Sequence, residues 1–190
     1  MPLWGATDSD ESKPKHLTTA QKKEVFANAS GWVVEAGSTQ SGNGNTSADP
    51  EILVAIGGLA SSIGAADITE IEFITTAFDK SDGGTLQVRV RFNEAVDVSG
   101  TPQLTVVNDT NSNHTLSYAS GTGTNELIFN LAIAANNAAT NANDVLSIGA
   151  QNILKPGGAT IKDTAGTASD SAVAISGAQG TAAGTLTVTA

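Results

Sequence analysis

An antiparallel β-sandwich is the fold class this sequence predicts, and three observations predict it. Leu86, Val88, Val90 and Phe92 alternate with Gln87, Arg89 and Arg91, and Leu127, Phe129, Leu131 and Ile133 alternate in the same way, which is the two-residue period of a strand buried on one face. Short segments of this kind recur between Gly-, Asn- and Asp-rich turns. No stretch has a helical period long enough to supply the crossover helices of a parallel sheet. On this reading residues 1–66 form an extended arm and a small β-hairpin docking segment, and residues 67–190 form the sandwich.

The front of the chain, MPLWGATDSDESKPKHL, has two prolines, the charges Asp8, Asp10, Glu11, Lys13 and Lys15, and the apolar pair Leu3 and Trp4. It reads as an arm whose Trp4 anchors in a partner's pocket. For residues 18–36 two readings compete. Thr18 with Gln21 suits a capping box opening a short helix, while Val25–Ala27 and Trp32–Val34, split by Ser30–Gly31, suit strands; the strands are preferred. The turn-rich SGNGNTSADP follows, so Trp32–Glu35 and Ile52–Ile56 are expected to pair as a hairpin with a long tip. Leu3, Trp4, Trp32, Ile52, Leu53 and Ile56 are the candidate interaction residues.

Beyond a connector at Leu59–Asp67 the strand segments follow one another. They are Thr69–Thr75, Leu86–Phe92 after the turn at Asp79–Gly84, Gln103–Val107 after Gly100–Pro102, Thr115–Ala119 and Glu126–Ile133. Val145–Ile148, Ala159–Lys162, Val173–Ile175 and Leu186–Val188 complete the set. The Ala-rich stretch Leu131–Ala142 is interrupted by Asn136, Asn137, Thr140 and Asn141 and is expected to be loop. In Leu86–Phe92 the parity puts Arg89 and Arg91 in water.

Composition narrows the function. A net charge of −10 opposes binding to nucleic acid or anionic lipid. The most apolar window, Leu53–Ala66, is broken by Gly57, Gly58 and Gly64 and falls short of a membrane span. With no cysteine there is no disulfide and no thiolate metal site. Acidic residues fill the place where an export signal would put a basic start and an apolar run, so the chain is expected to stay where it is made.

Catalytic candidates are few. His16 in the arm and His114 in the polar loop Asp109–His114 have no evident base partner and are expected to be solvated. Glu94 and Asp97 differ in strand parity and should point apart, Asp97 on the surface and Glu94 returned to water by a bend at the strand's exit. No activated nucleophile and no phosphate-cradling glycine loop is visible, so neither catalysis nor a cofactor is expected. Asp79 with Asp82, Asp109 with Asn111, and Asp163 with Asp170 offer oxygen ligands without a defining Ca²⁺ spacing; turn chemistry explains them, and no metal is expected. Lys162 alternates with Ile161 and should point outward, away from any isopeptide partner. The sequons at Asn28, Asn45, Asn108 and Asn113 are expected to be unused. Tyr118 is the one aromatic candidate for a sugar to stack on, and since it shares parity with Leu116 it should belong to the core.

Two resemblances add to this reading. FNEAVDVSGTPQLTV, YASGTGTNELIFNLAI and GATIKDTAGTAS, in that order, resemble the bacterial Ig-like repeats of large surface proteins of the SwmB type, over about Ile68–Val188. That implies an Ig-like sandwich of the kind used as a spacer or adhesive module. MPLWG, the S-K-P-K arm and the GW…EAG…PEILVAIGGL segment resemble the N-terminal modules of virion structural proteins from tailed phages of marine bacteria, cyanophages in particular. This implies a non-enzymatic virion protein, assembled in the host cytoplasm, that decorates the capsid exterior and docks by its N-terminal part on the major capsid protein or another virion protein, with self-association also open. A tail or neck location, or an Ig-like module that binds host-surface glycan, is the alternative.

Overall fold

The structure, a computed structural model, describes residues 13–28, 31–42, 44–55, 65–164, 171 and 173–190, with the side chains of 27 and 28 left aside. Leu3, Trp4 and Ile56 lie outside the described residues, as does Asp170.

The chain begins with both of the structures that competed for its front. Helix α1 (Thr19–Lys23) is opened by a reciprocal cap: Thr18 Oγ1 accepts from the Gln21 amide and Gln21 Oε1 accepts from the Thr18 amide. A five-residue helix is too short to stand on its own hydrogen bonds. It leads directly into β1 (Val25–Asn28), which pairs antiparallel with β2 (Gly31–Val34), and β2 pairs with β3 (Glu51–Ala55), so the expected hairpin with a long tip is present. Trp32, Val25, Val34 and Leu17 form a small apolar core, with Leu53 and Val54 packed against it.

The remaining strands are β4 (Ile68–Phe73), β5 (Phe78–Asp79), β6 (Gly84–Ser99), β7 (Gln103–Asn108), β8 (His114–Ser120), β9 (Thr124–Ile133), β10 (Val145–Ser147), β11 (Gln151–Asn152), β12 (Thr160–Asp163), β13 (Ala174–Ile175) and, after helix α2 (Gly177–Ala182), β14 (Thr185–Thr189). Stretch 134–144 holds no helix, as expected. The protein is all-β and sandwich-like. Twelve strands join one curled sheet in the order β3-β2-β1-β6-β9-β8-β7-β10-β14-β5, with β4 and β12 also paired to β6. Pairing is antiparallel apart from β1 with β6 and β14 with β5.

Strand β6 is the axis of this arrangement because its sixteen residues exceed what one neighbour on each side can use. Its first half pairs with β4 on one side and β9 on the other; after an irregularity between Arg91 and Val96 its second half pairs with β12. The alternating apolar set Leu86, Val88, Val90, Phe92, Leu127 and Phe129 is 0–2% exposed and anchors the main core, which gathers residues from β4 to β10, β12, β13 and β14 and none from β1 to β3. Tyr118 packs edge-on against Phe129 with ring centroids 6.2 Å apart and its hydroxyl accepts from the Thr122 amide, so it is half-buried against the core as its parity predicts.

The β8–β9 turn depends on a glycine. Gly121 has φ +114°, and a Cβ there would stand 1.9 Å from the Glu126 carbonyl oxygen. Gly121→Ala is therefore expected to destabilise the protein by about 2 kcal/mol or more, from backbone strain and a clash the ladder cannot relieve. The midpoint of urea unfolding checks this, and an unchanged midpoint would contradict it.

Candidate interaction site

Cross-strand register builds a charged ladder on the face of β6 opposite the core. Glu70 and Glu72 of β4 stand beside Arg91 and Arg89, and Glu126 of β9 stands on the other side of Arg91. Opposite charges facing each other across strands stabilise the pairing. Arg91 Nε lies 2.6 Å from Glu126 Oε1, and Arg91 Nη1 lies 3.0 Å from Glu70 Oε2 and 3.4 Å from Glu72 Oε1. Arg89 reaches Glu126 at 3.0 Å and Glu72 at 3.2 Å. One planar guanidinium thus serves several carboxylates, which its fixed fork of donors allows.

The N-terminal module closes over this ladder. Glu35, the residue after β2, brings its carboxylate to 3.9 Å from Arg91 Nε and accepts a 2.8 Å hydrogen bond from Asn125. Lys23 at the end of α1 pairs with Glu70. Arg91 is consequently 9% exposed, which corrects the expectation that it lies in water: parity puts it on the face away from the core, and the module then covers that face.

The site's electrostatics follow from this burial. Loss of water, then the charge of Glu126, push the Glu35 carboxyl up to about 7, against the hydrogen bond from Asn125 and the charge of Arg91. Burial also works against ionisation of Glu70, but hydrogen bonds from Lys23 and Arg91 outweigh it and hold that carboxyl below its usual range. For Arg91 burial opposes the charge, and Glu126 and Glu35 more than compensate, so the guanidinium stays charged.

Two openings flank the ladder. A groove of about 490 Å³ runs beside Glu35 and Glu126 and is walled by Phe26, Asp49, Pro50 and Ile128. A cleft of about 540 Å³ on the other side is lined by Lys23, Glu70, Glu72, Phe73 and α2 residues.

The interaction candidates separate in the structure. Trp32 is 1% exposed and fills the module's own core, so its indole is not on the surface. Leu53 is half-buried against the same core. Ile52 is 56% exposed on β3, and β3 pairs only with β2 among the described residues. Ile52 is thus an exposed apolar side chain on a strand whose outer edge has no partner among the described residues.

Two other expectations meet the structure differently. Glu94 is 3% exposed: the irregularity in β6 keeps residues 91 to 94 all inside, so no bend returns it to water, while Asp97 is exposed as expected. His16 is exposed, but His114 opens β8 and is buried. Burial lowers the pKa of His114 against the attraction of Asp144, and its ring Nε2 lies 3.4 Å from Thr140 Oγ1. This His–Thr–Asp grouping resembles a nucleophile with its base, yet Thr140 is 1% exposed and no substrate can reach its hydroxyl. It works as a polar tie. Asn108 donates to Asp144 at 2.6 Å, Thr110 donates to the same carboxylate, and the Asn141 amide adds a 2.8 Å bond, so 134–144 is stitched to the β7–β8 loop. Those bonds outweigh burial and hold the Asp144 carboxyl below its usual range.

The acidic loops behave as turns. Asp79 accepts from the Ser81 amide and hydroxyl at 2.8 and 2.6 Å, and Asp109 accepts from the Val145 amide at 2.8 Å. No group of three or more potential metal ligands occurs among the described residues. Lys162 is half-exposed between the buried Ile161 and Asp163.

Comparison with known proteins returns no match: no family model, no curated protein and no solved structure resembles this chain significantly.

Proposed function

We propose that this chain is a non-enzymatic structural protein of a virion, docked through its N-terminal segment on the phage major capsid protein or another virion protein, with the acidic sandwich projecting outward. The observation that carries the docking reading is the outer edge of β3, which has no partner strand among the described residues, with Ile52 56% exposed at the end of a continuous sheet. An open edge of this kind, without lysine or an interior proline, invites a partner strand. The virion context rests on the resemblance of MPLWG and the GW…EAG…PEILVAIGGL segment to phage particle proteins. The SwmB-type Ig-like assignment of the sandwich rests likewise on its three motifs, and the all-β architecture agrees with it.

The test places a charge on that edge. Ile52→Lys is expected to leave folding within about 0.5 kcal/mol, since the side chain is largely in water, and to remove co-sedimentation of the protein with virions. Unaltered co-sedimentation would overturn the assignment of the edge. The number of copies per particle separates coverage of a whole shell from a neck or tail ring.

A further inference from the structure

The module meets the sandwich through one parallel bridge, Ala27 to Glu94, and through polar links that include Asn125 to Glu35, Arg91 to Glu35 and Lys23 to Glu70. At this junction Arg91 is shared by Glu35, Glu70, Glu72 and Glu126, with Arg89 and Lys23 paired to carboxylates of the same set and Lys13 in the cleft beside them. Glu35 has the longest of these contacts, because Arg91 sits 2.6 Å from Glu126 and 3.0 Å from Glu70 but 3.9 Å from Glu35.

We propose that Glu35 is a proton-operated latch between the N-terminal module and the sandwich: a neutral Glu35 lets the module seat on the ladder, and an ionised one loosens it. The groups that face Glu35 are Arg91 from β6, Asn125 and Glu126 from β9, Glu24 after α1, and Asp49 across the groove; Arg89, Glu70, Glu72 and Lys23 are linked to it through Arg91 and Glu126, with Lys13 in the cleft beside them. The carboxyl pushed up to about 7 in the seated state binds its proton more tightly there than in the released state, near the ordinary value of 4.5. Seating is therefore fully favoured below that ordinary value and weakens as pH rises from there through about 7. The depressed Glu70 carboxyl acts with opposite sign, but its contribution is complete above its ordinary range and leaves the neutral window to Glu35. His114 also acts with opposite sign, at the separate tie with Thr140 and Asp144. The latch does not depend on what the module docks to.

Amide hydrogen exchange on the full chain, corrected for the intrinsic chemical rate, tests the latch. Between about pH 5.5 and 8.5 the protection of β1 and β2 is expected to fall about tenfold or more, while the core amides of β6 and β9 show no parallel fall. In Glu35→Gln, which keeps the acceptor for Asn125, the fall should vanish. A flat profile in the wild type, or an equal fall in the variant, would overturn the latch. Should Glu35→Gln fail to fold, Glu126→Gln gives the reading: removal of the nearest like charge should move the midpoint of the fall to lower pH, and an unmoved midpoint would overturn it.

Discussion

Arg91→Met is expected to cost about 3 kcal/mol or more of unfolding free energy, the loss found when one partner of a buried ion pair is removed. Methionine matches much of the aliphatic volume, so the loss isolates the charge. Without the guanidinium, Glu126, Glu70, Glu72 and Glu35 remain crowded at the junction and lose the one cation among the described residues that reaches all four. The side chain of Arg91 is 11% exposed, so solvent screens it little, whereas Glu72 at 37% can turn to water and recover part of the cost. Arg91→Lys keeps the charge and gives up the fork that serves Glu126 and Glu70 together, so its loss should be smaller but measurable. Combining Arg91→Met with Glu126→Gln should destabilise by less than the sum of the two single changes. Urea unfolding of the four proteins checks the series, and additive losses would show that the ladder does not act as a unit.

Trp32→Ala is expected to cost about 3 to 5 kcal/mol, the range for deleting a buried aromatic, and the cost should fall on one part of the molecule. Leu17, Val25 and Val34 are the buried neighbours Trp32 shares, with Leu53 and Val54 beside them, so little apolar contact would remain to hold β1 to β3 together. The sandwich core contains none of these residues. Protection of β1 and β2 amides should therefore collapse while β9 keeps its own. Trp32→Phe should be much milder, because the indole N–H is buried with no acceptor among the described residues and its removal relieves a desolvation cost. A uniform loss over all strands in Trp32→Ala would mean that the module has no core of its own. The same core bears on truncation. Leu17 belongs to it and Lys13 donates to the Lys22 carbonyl at 2.6 Å, so a cut after residue 17 would damage the module, and a cut after residue 12 is the cleaner way to remove the arm.

How much could be read in advance differs from element to element. Long alternating strands such as β6 and β9 declared both their extent and their buried faces, because a period of two is explicit once four apolar residues repeat it. The Thr18–Gln21 cap and the β2–β3 hairpin were both legible, although they looked like rivals; a five-residue helix leaves room for both. Two-residue strands such as β5, β11 and β13 are too short to show any period. Helix α2 was missed with them, although Ser176 and Gln179 carry the same capping signal as Thr18 and Gln21. Arg91 shows the deeper limit. Parity tells which face a side chain takes and says nothing about what covers that face, and here the cover comes from residues more than fifty positions earlier. A signal existed: Glu70-Ile-Glu72 on one strand and Arg89-Val-Arg91 on its neighbour share the same two-residue spacing. His114 was misplaced because the 134–144 stretch that folds over it is joined by side-chain bonds that leave no periodic trace.

Imaging of intact virions at a resolution that orients single subunits tests the docking account most directly. The account predicts that β3 and Ile52 face the particle, with the sandwich and its acidic loops pointing away. Subunits seated by the far end of the sandwich, with the β3 edge free in solvent, would contradict it.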